Sequence, residues 1–145
     1  IQTQSLSTWE LLKKEFEEED LEQVSYLGKM SYDNVQEYIR KANVCVFPSF
    51  AETFGMVTIE AMAMQKPVVS NDFGWSQELI VSGQNGFLVH PKKHTDFAKT
   101  IVTLLEDEHL CEKIGAAARH RVESIFDIQQ IVQQNVDFYE SIISK

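Results

Sequence analysis

Positive charge is scarce in this chain. Thirteen Lys and Arg stand against twenty-two Asp and Glu, a formal net charge of −9. A protein that reads a nucleic-acid backbone draws its affinity from clustered cations, so that class is excluded; a small anionic ligand held by local groups is not. Cysteine is scarce too. Cys45 and Cys111 by themselves make neither a disulfide scaffold nor a four-ligand zinc site, and Cys45, inside an apolar run, reads as a core residue. The four histidines show no metal-like spacing with acidic neighbours. No run approaches the ~18 apolar residues of a membrane span. The opening IQTQSLSTWE has neither the basic region nor the apolar region of a secretory signal. Ile1 is not a start methionine, and a helix-like stretch begins within ten residues; both lead to the expectation of a piece cut from something longer.

What is present is ordinary globular material: 145 residues, 43% hydrophobic and 24% charged, one domain's worth. Short apolar runs fall at residues 24–27 (VSYL), 44–47 (VCVF), 68–70 (VVS) and 87–89 (FLV). Between them lie stretches of helical period: Tyr32, Val35, Ile39; then Met56, Ile59, Ala63; then Leu79 and Ile80. Strand–helix alternation with short links reads as parallel α/β units, and runs that are apolar at successive positions read as strands covered on both faces. Punctuation agrees. Ser31 precedes a helix as an N-cap would, Pro48 closes the second run, and Pro67 opens the third. Residues 9–21 (WELLKKEFEEEDL) read as one amphipathic helix, and the chain from Thr95 onward reads as helix only. The expected fold is Rossmann-like: a three-layer α/β/α arrangement with a parallel sheet of about four strands and a helical C-terminal tail.

In such sheets ligands sit beyond the carboxyl ends of the strands. That restricts candidate site residues to Gly28-Lys29-Met30, residues 48–55, residues 70–75 and His90-Pro91. The segment 47–69 (FPSFAETFGMVTIEAMAMQKPVV) is the most informative of these. Glu52 lies in its loop, Phe54-Gly55-Met56 at a helix start, and Glu60 further along that helix. A helix N-terminus offers unpaired N–H groups and partial positive charge, which suit a phosphate. Gly55 lets a ligand approach without a Cβ in the way. A carboxylate can accept two vicinal hydroxyls through charge-assisted bonds. The spacing lets the two carboxylates meet opposite ends of a nucleotide-sugar, Glu60 the ribose and Glu52 the transferred sugar, with the phosphates between them on the amides of Phe54, Gly55 and Met56. Glu78 reads as a cap for its own helix start.

Glu52, seven residues, then Glu60, inside SFAETFGMVTIEAMA, resembles the Glu-x7-Glu signature of the retaining GT-B glycosyltransferases of family 4, the glycosyl transferases group 1. VSYLGK before it, PVVSNDFGWSQELI after it and then GQNGFLVHP are similar to that family's blocks, in the same order. The match is dense over residues 24–91. Gln65-Lys66 stands where the family commonly has Gly, a residue favoured just past a helix for its left-handed geometry.

The resemblance implies a partial C-terminal, donor-binding half of a GT-B fold over residues 1–145. It implies a hexosyltransferase that moves a sugar, with retention, from a nucleotide-diphosphate sugar to a polysaccharide, glycolipid or similar acceptor. Glu52 would be catalytic, at the donor sugar. Thr53, Phe54, Gly55, Met56 and Glu60 would bind the donor, with Gly28, Lys29 and Met30 beside the base. No Asp-x-Asp pair of the metal-dependent sugar transferases is present, so no metal or other cofactor is expected. The acceptor-binding N-terminal half would lie outside these residues, leaving the fragment inactive alone. The family's setting implies a cytoplasmic protein with peripheral association at the inner membrane face. Two other readings share the same residues: a non-catalytic α/β interaction module that keeps the half-fold, and a GT-B nucleotide-sugar epimerase.

Overall fold

The computed structural model describes residues 7–143, which divide into two units at Asn34 and Val35. In the first, Ser7 caps helix α1 (Thr8–Leu12) in a capping box: the Glu10 amide donates to Ser7 Oγ at 3.2 Å, and the Ser7 amide donates to Glu10 Oε2 at 2.7 Å. Those bonds hold the Glu10 carboxyl below its usual range. A 3₁₀ turn (Lys13–Glu15) and helix α2 (Glu18–Leu21) follow. The single amphipathic helix expected over residues 9–21 is thus broken into three short pieces, none with a buried residue to hold a longer helix on a core.

Residues 24–27, expected as the first strand, form no strand among the described residues. Val24, Tyr26 and Leu27 are exposed, and the Tyr26 ring is taken up by Trp9 of the same unit, stacked at 4.9 Å and 13°. A strand exists only through its ladder, and this run has none. Among the described residues the sheet accordingly has three strands, not about four.

Helix α3 (Tyr32–Lys41) runs from the first unit into the second, where Ile39 is buried. The second unit then alternates strand and helix as the sequence predicts: β1 (Cys45–Phe47), α4 (Met56–Ala63), β2 (Val68–Ser70), α5 (Ser76–Leu79), β3 (Phe87–Leu88), α6 (His94–Glu106), α7 (Glu108–Phe126) and α8 (Ile128–Ile143). The strands are parallel in the order β1-β2-β3, with Cys45 opposite Val68 and Val69 opposite Phe87.

The central strand explains the layering. Successive side chains on a strand point to opposite faces. Val68 joins one buried cluster with Ile39, Ile59, Met62, Leu79, Ala118 and Val122, while Val69 joins a second with Phe97, Leu104 and Ile114. Both valines are fully buried, so β2 is covered on both sides, as its unbroken apolar pattern requires. Helix α7 serves both layers, with Ile114 in one cluster and Ala118 and Val122 in the other. Its arginines also finish other helices. Arg119 donates to the Ala63 carbonyl at the end of α4, and Arg121 to the Glu78 and Leu79 carbonyls at the end of α5. Glu78 itself lies inside α5, and α5 has no side-chain cap, so the expected capping role is not observed. The helical tail is present as α6 to α8. Asp107 starts α7 by accepting from the Leu110 amide at 2.9 Å, and Asp127 accepts from the Gln129 and Gln130 amides where α8 begins.

Candidate functional site

The carboxyl ends of β1, β2 and β3 are Phe47, Ser70 and Leu88, and the segments leaving them form one rim. Ser70 ties the rim together. Its hydroxyl lies 3.1 Å from Ser76 Oγ and donates to the Phe47 carbonyl at 3.5 Å, linking the end of β1 to the start of α5. Past β1, Pro48 ends the ladder and the chain turns into an exposed loop. There Ser49 Oγ donates to Glu52 Oε1 at 2.8 Å. Glu52 is exposed, and Ser49 gives its carboxylate a fixed partner close to the strand end.

Thr53 and Phe54 complete the loop, and Gly55 caps α4. Its φ of 64° and ψ of 41° are left-handed, a conformation that Gly adopts without strain. A Cβ there would meet Trp75 Cδ1 at 3.4 Å and Thr58 Oγ1 at 3.6 Å, ordinary contacts. Glycine is therefore required by the backbone turn more than by crowding from the protein itself. The Gly55 carbonyl accepts from the Thr58 and Ile59 amides at 2.9 and 3.2 Å, and no side chain caps the helix. Among the described residues the Met56 and Val57 amides donate to no protein acceptor. This is the arrangement an anion uses at a helix start. Glu60 follows, half-buried, in the second turn of α4. The structure thus brings Glu52, Thr53, Phe54, Gly55, Met56 and Glu60 onto one loop and helix tip. Gly28, Lys29 and Met30 belong to the first unit, between α2 and α3; Gly28 has a φ of 65°, Lys29 is exposed and Met30 half-buried.

Trp75, Phe126, Ser49 and His90 carry contacts that the sequence does not assign. Trp75 stacks on Phe54 at 4.6 Å and 24°, and Phe126 meets Phe54 edge-on at 6.0 Å. Ser49 orients Glu52. On the β3 side, His90 lies 5.7 Å from Phe73, and its Nδ1 accepts from the Lys92 amide at 3.2 Å. Trp75 and His90 fall within the ranges that topology singles out, but nothing in composition or spacing tells which side chain there turns toward α4.

The family described as glycosyl transferases group 1 matches residues 8–121. Relatives include the uncharacterized glycosyltransferase MJ1178 of Methanocaldococcus jannaschii, 35% identical over 96 residues, covering 66% of this chain and 27% of that protein. The capsular polysaccharide biosynthesis glycosyltransferase CapM of Staphylococcus aureus is 34% identical over 108 residues, covering 74% of this chain and 28% of that protein. Among solved structures, Anabaena Alr3699/HepE in complex with UDP and glucose matches with a TM-score of 0.78 and 29% identity, over 92% of this chain and 35% of that one. The chain spans between a quarter and a third of the length of the two curated relatives. Its three-layer parallel sheet is the arrangement found in GT-B glycosyltransferase structures, and with the match over residues 8–121 this chain belongs to the glycosyl transferases group 1 family.

Proposed function

We propose that this chain is the donor-binding portion of a retaining glycosyltransferase that moves a hexose from a nucleotide-diphosphate sugar to an acceptor such as a polysaccharide or glycolipid. The observation that carries the reading is the tip of α4: unpaired Met56 and Val57 amides on a helix start, between Glu52 and Glu60, at the carboxyl edge of a parallel sheet. In a chain of net charge −9, backbone amides can hold a diphosphate without cationic side chains. A solved relative in complex with UDP and glucose supports the same ligand class.

In this reading the diphosphate rests on the amides of Phe54, Gly55 and Met56, with Thr53 beside them. Glu60 takes the ribose hydroxyls. Glu52, held by Ser49, accepts from hydroxyls of the transferred sugar and fixes the anomeric carbon for the incoming nucleophile. The leaving phosphate is neutralised by the helix tip and itself guides front-side attack, which gives retention without a covalent nucleophile or a metal. The acceptor is held by a half of the protein beyond these residues, so the 145-residue chain binds donor without turning it over. No helix among the described residues is long and apolar enough to cross a membrane; the proposed setting is the cytoplasmic face, with peripheral association.

Titration of the chain with UDP, GDP and ADP, followed by amide chemical shifts, tests the reading. At least one nucleotide should move the Met56 and Val57 amides, and Glu60→Gln should weaken that nucleotide. Silence of those amides toward all three overturns it.

A further inference from the structure

Among the described residues one side-chain polar atom is buried without a hydrogen-bond partner, the indole Nε1 of Trp75. Buried donors are nearly always paired, because an orphan loses its water and receives nothing in exchange. The location of this one is specific. Cδ1, the carbon bonded to Nε1, lies 3.4 Å from the point a Cβ on Gly55 would occupy, so the pyrrole edge of the ring faces the residue that caps α4. Two further N–H donors without protein acceptors, on Met56 and Val57, belong to the same helix tip. Phe54, a residue 41% exposed, stacks on one face of the indole. The Phe126 ring lies 6.3 Å from the indole, tilted by 57°. Three N–H donors that no protein acceptor takes up are complementary to an acceptor-rich anion.

We propose that Trp75 is a donor-binding residue: its indole N–H donates to a diphosphate oxygen of the nucleotide, beside the Met56 and Val57 amides. This rests on the donor-site reading above and adds to it a third, side-chain donor. Trp75 then has two states. Unliganded, the N–H is buried without an acceptor. Liganded, it gains a charged acceptor, which makes the bond stronger than a neutral one.

The chain has two tryptophans, Trp9 and Trp75, so a ¹⁵N-labelled sample gives two indole signals, assigned with the variant Trp75→Phe. The probe is the best binder among UDP, GDP and ADP, with its nucleoside as control. The Trp75 indole proton should move downfield with the diphosphate and not with the nucleoside, while Trp9 holds still. Trp75→Phe, which keeps an aromatic ring and removes the N–H, should weaken the nucleoside diphosphate about tenfold. Movement of the Met56 and Val57 amides with a stationary Trp75 indole overturns this proposal and leaves the donor site standing. Equal response to nucleoside and diphosphate also overturns it, since the acceptor would then be the base or ribose. If neither amides nor indole respond, the donor-site reading itself falls. Should Trp75→Phe fail to fold, the indole signal of the unmodified chain decides.

Discussion

The carbonyl oxygen of Gln65 lies where a Cβ on Gly115 would have to be, closer than any real Cβ contact allows. Helix α7 passes the end of α4 at a separation that only glycine permits. A buried glycine within a 19-residue helix otherwise looks like a defect, costing about 1 kcal/mol against alanine. The close crossing reverses the sign. Gly115→Ala would gain that ~1 kcal/mol of propensity but must push the Gln65 backbone aside. Overpacking costs typically about 1–3 kcal/mol, and here the obstacle is main chain, so the upper half of that range applies. We expect a net loss of about 1–2 kcal/mol in urea unfolding. A gain would mean that the two helices separate easily.

Gln65 is also the described non-glycine residue with positive φ, at 61°. It sits just past α4 in a Schellman turn: the Lys66 amide donates to the Ala61 carbonyl at 3.0 Å and the Gln65 amide to the Met62 carbonyl at 2.9 Å. A side chain in this conformation costs about 1–2 kcal/mol, partly offset by the lower unfolded-state entropy of a non-glycine residue. Gln65→Gly should therefore stabilise the chain by about 0.5–1 kcal/mol, read as a higher urea midpoint with unchanged slope. The carbonyl that faces Gly115 belongs to the backbone and is retained.

These two positions mark how far the sequence could be read. The departure at Gln65 is visible as a missing glycine beside Pro67, because a helix end constrains its own next residues. The Gln65–Gly115 contact joins residues fifty apart and has no local signature. The same division holds elsewhere. Residues 44–47, 68–70 and 87–89 mark strands because burial on both faces leaves an unbroken apolar run. Residues 24–27 carry the same signal, but pairing is a property of two segments, and Tyr26 packs on Trp9 instead. At the candidate site, Glu52, Gly55 and Glu60 are legible because loop and helix start are contiguous in sequence. The Trp75 stack on Phe54 is not, because the turn between β2 and α5 decides it.

Cys45 gives a pH dependence of definite sign. The residue is buried at the start of β1, and burial pushes its thiol pKa up, against a smaller opposing pull from the Lys66 ammonium. A folded pKa above the unfolded one means the neutral thiol is favoured in the fold. That contribution is whole below the unfolded thiol pKa, about 8.5, and is lost as pH rises through the raised folded value. Cys111 shifts the same way, from burial, but is only half-buried. Urea unfolding of the parent and of Cys45→Ala should therefore give stability curves that keep a constant gap below the unfolded thiol pKa of about 8.5 and converge as pH rises above it. Parallel curves would show that the thiol stays unshifted.

The Ser49–Glu52 bond separates the two ends of the proposed donor. Ser49 is not placed against any ligand; it holds one oxygen of Glu52 at 2.8 Å and limits where that exposed carboxylate can point. Ser49→Ala leaves Glu52, the α4 tip and Glu60 unchanged, so a nucleoside diphosphate, which lacks the transferred sugar, should bind the variant as it binds the parent. The matching nucleotide sugar should lose affinity by roughly 3–10-fold, the worth of one hydrogen bond of about 0.5–1.5 kcal/mol. Glu52→Gln should lose at least as much, again only with the sugar attached. Combining both changes should cost no more than Glu52→Gln alone, because the serine acts through the glutamate. Calorimetry with the two ligands reads all three variants. An equal loss for both ligands would place Glu52 at the phosphates, and losses that add would give Ser49 a ligand contact of its own.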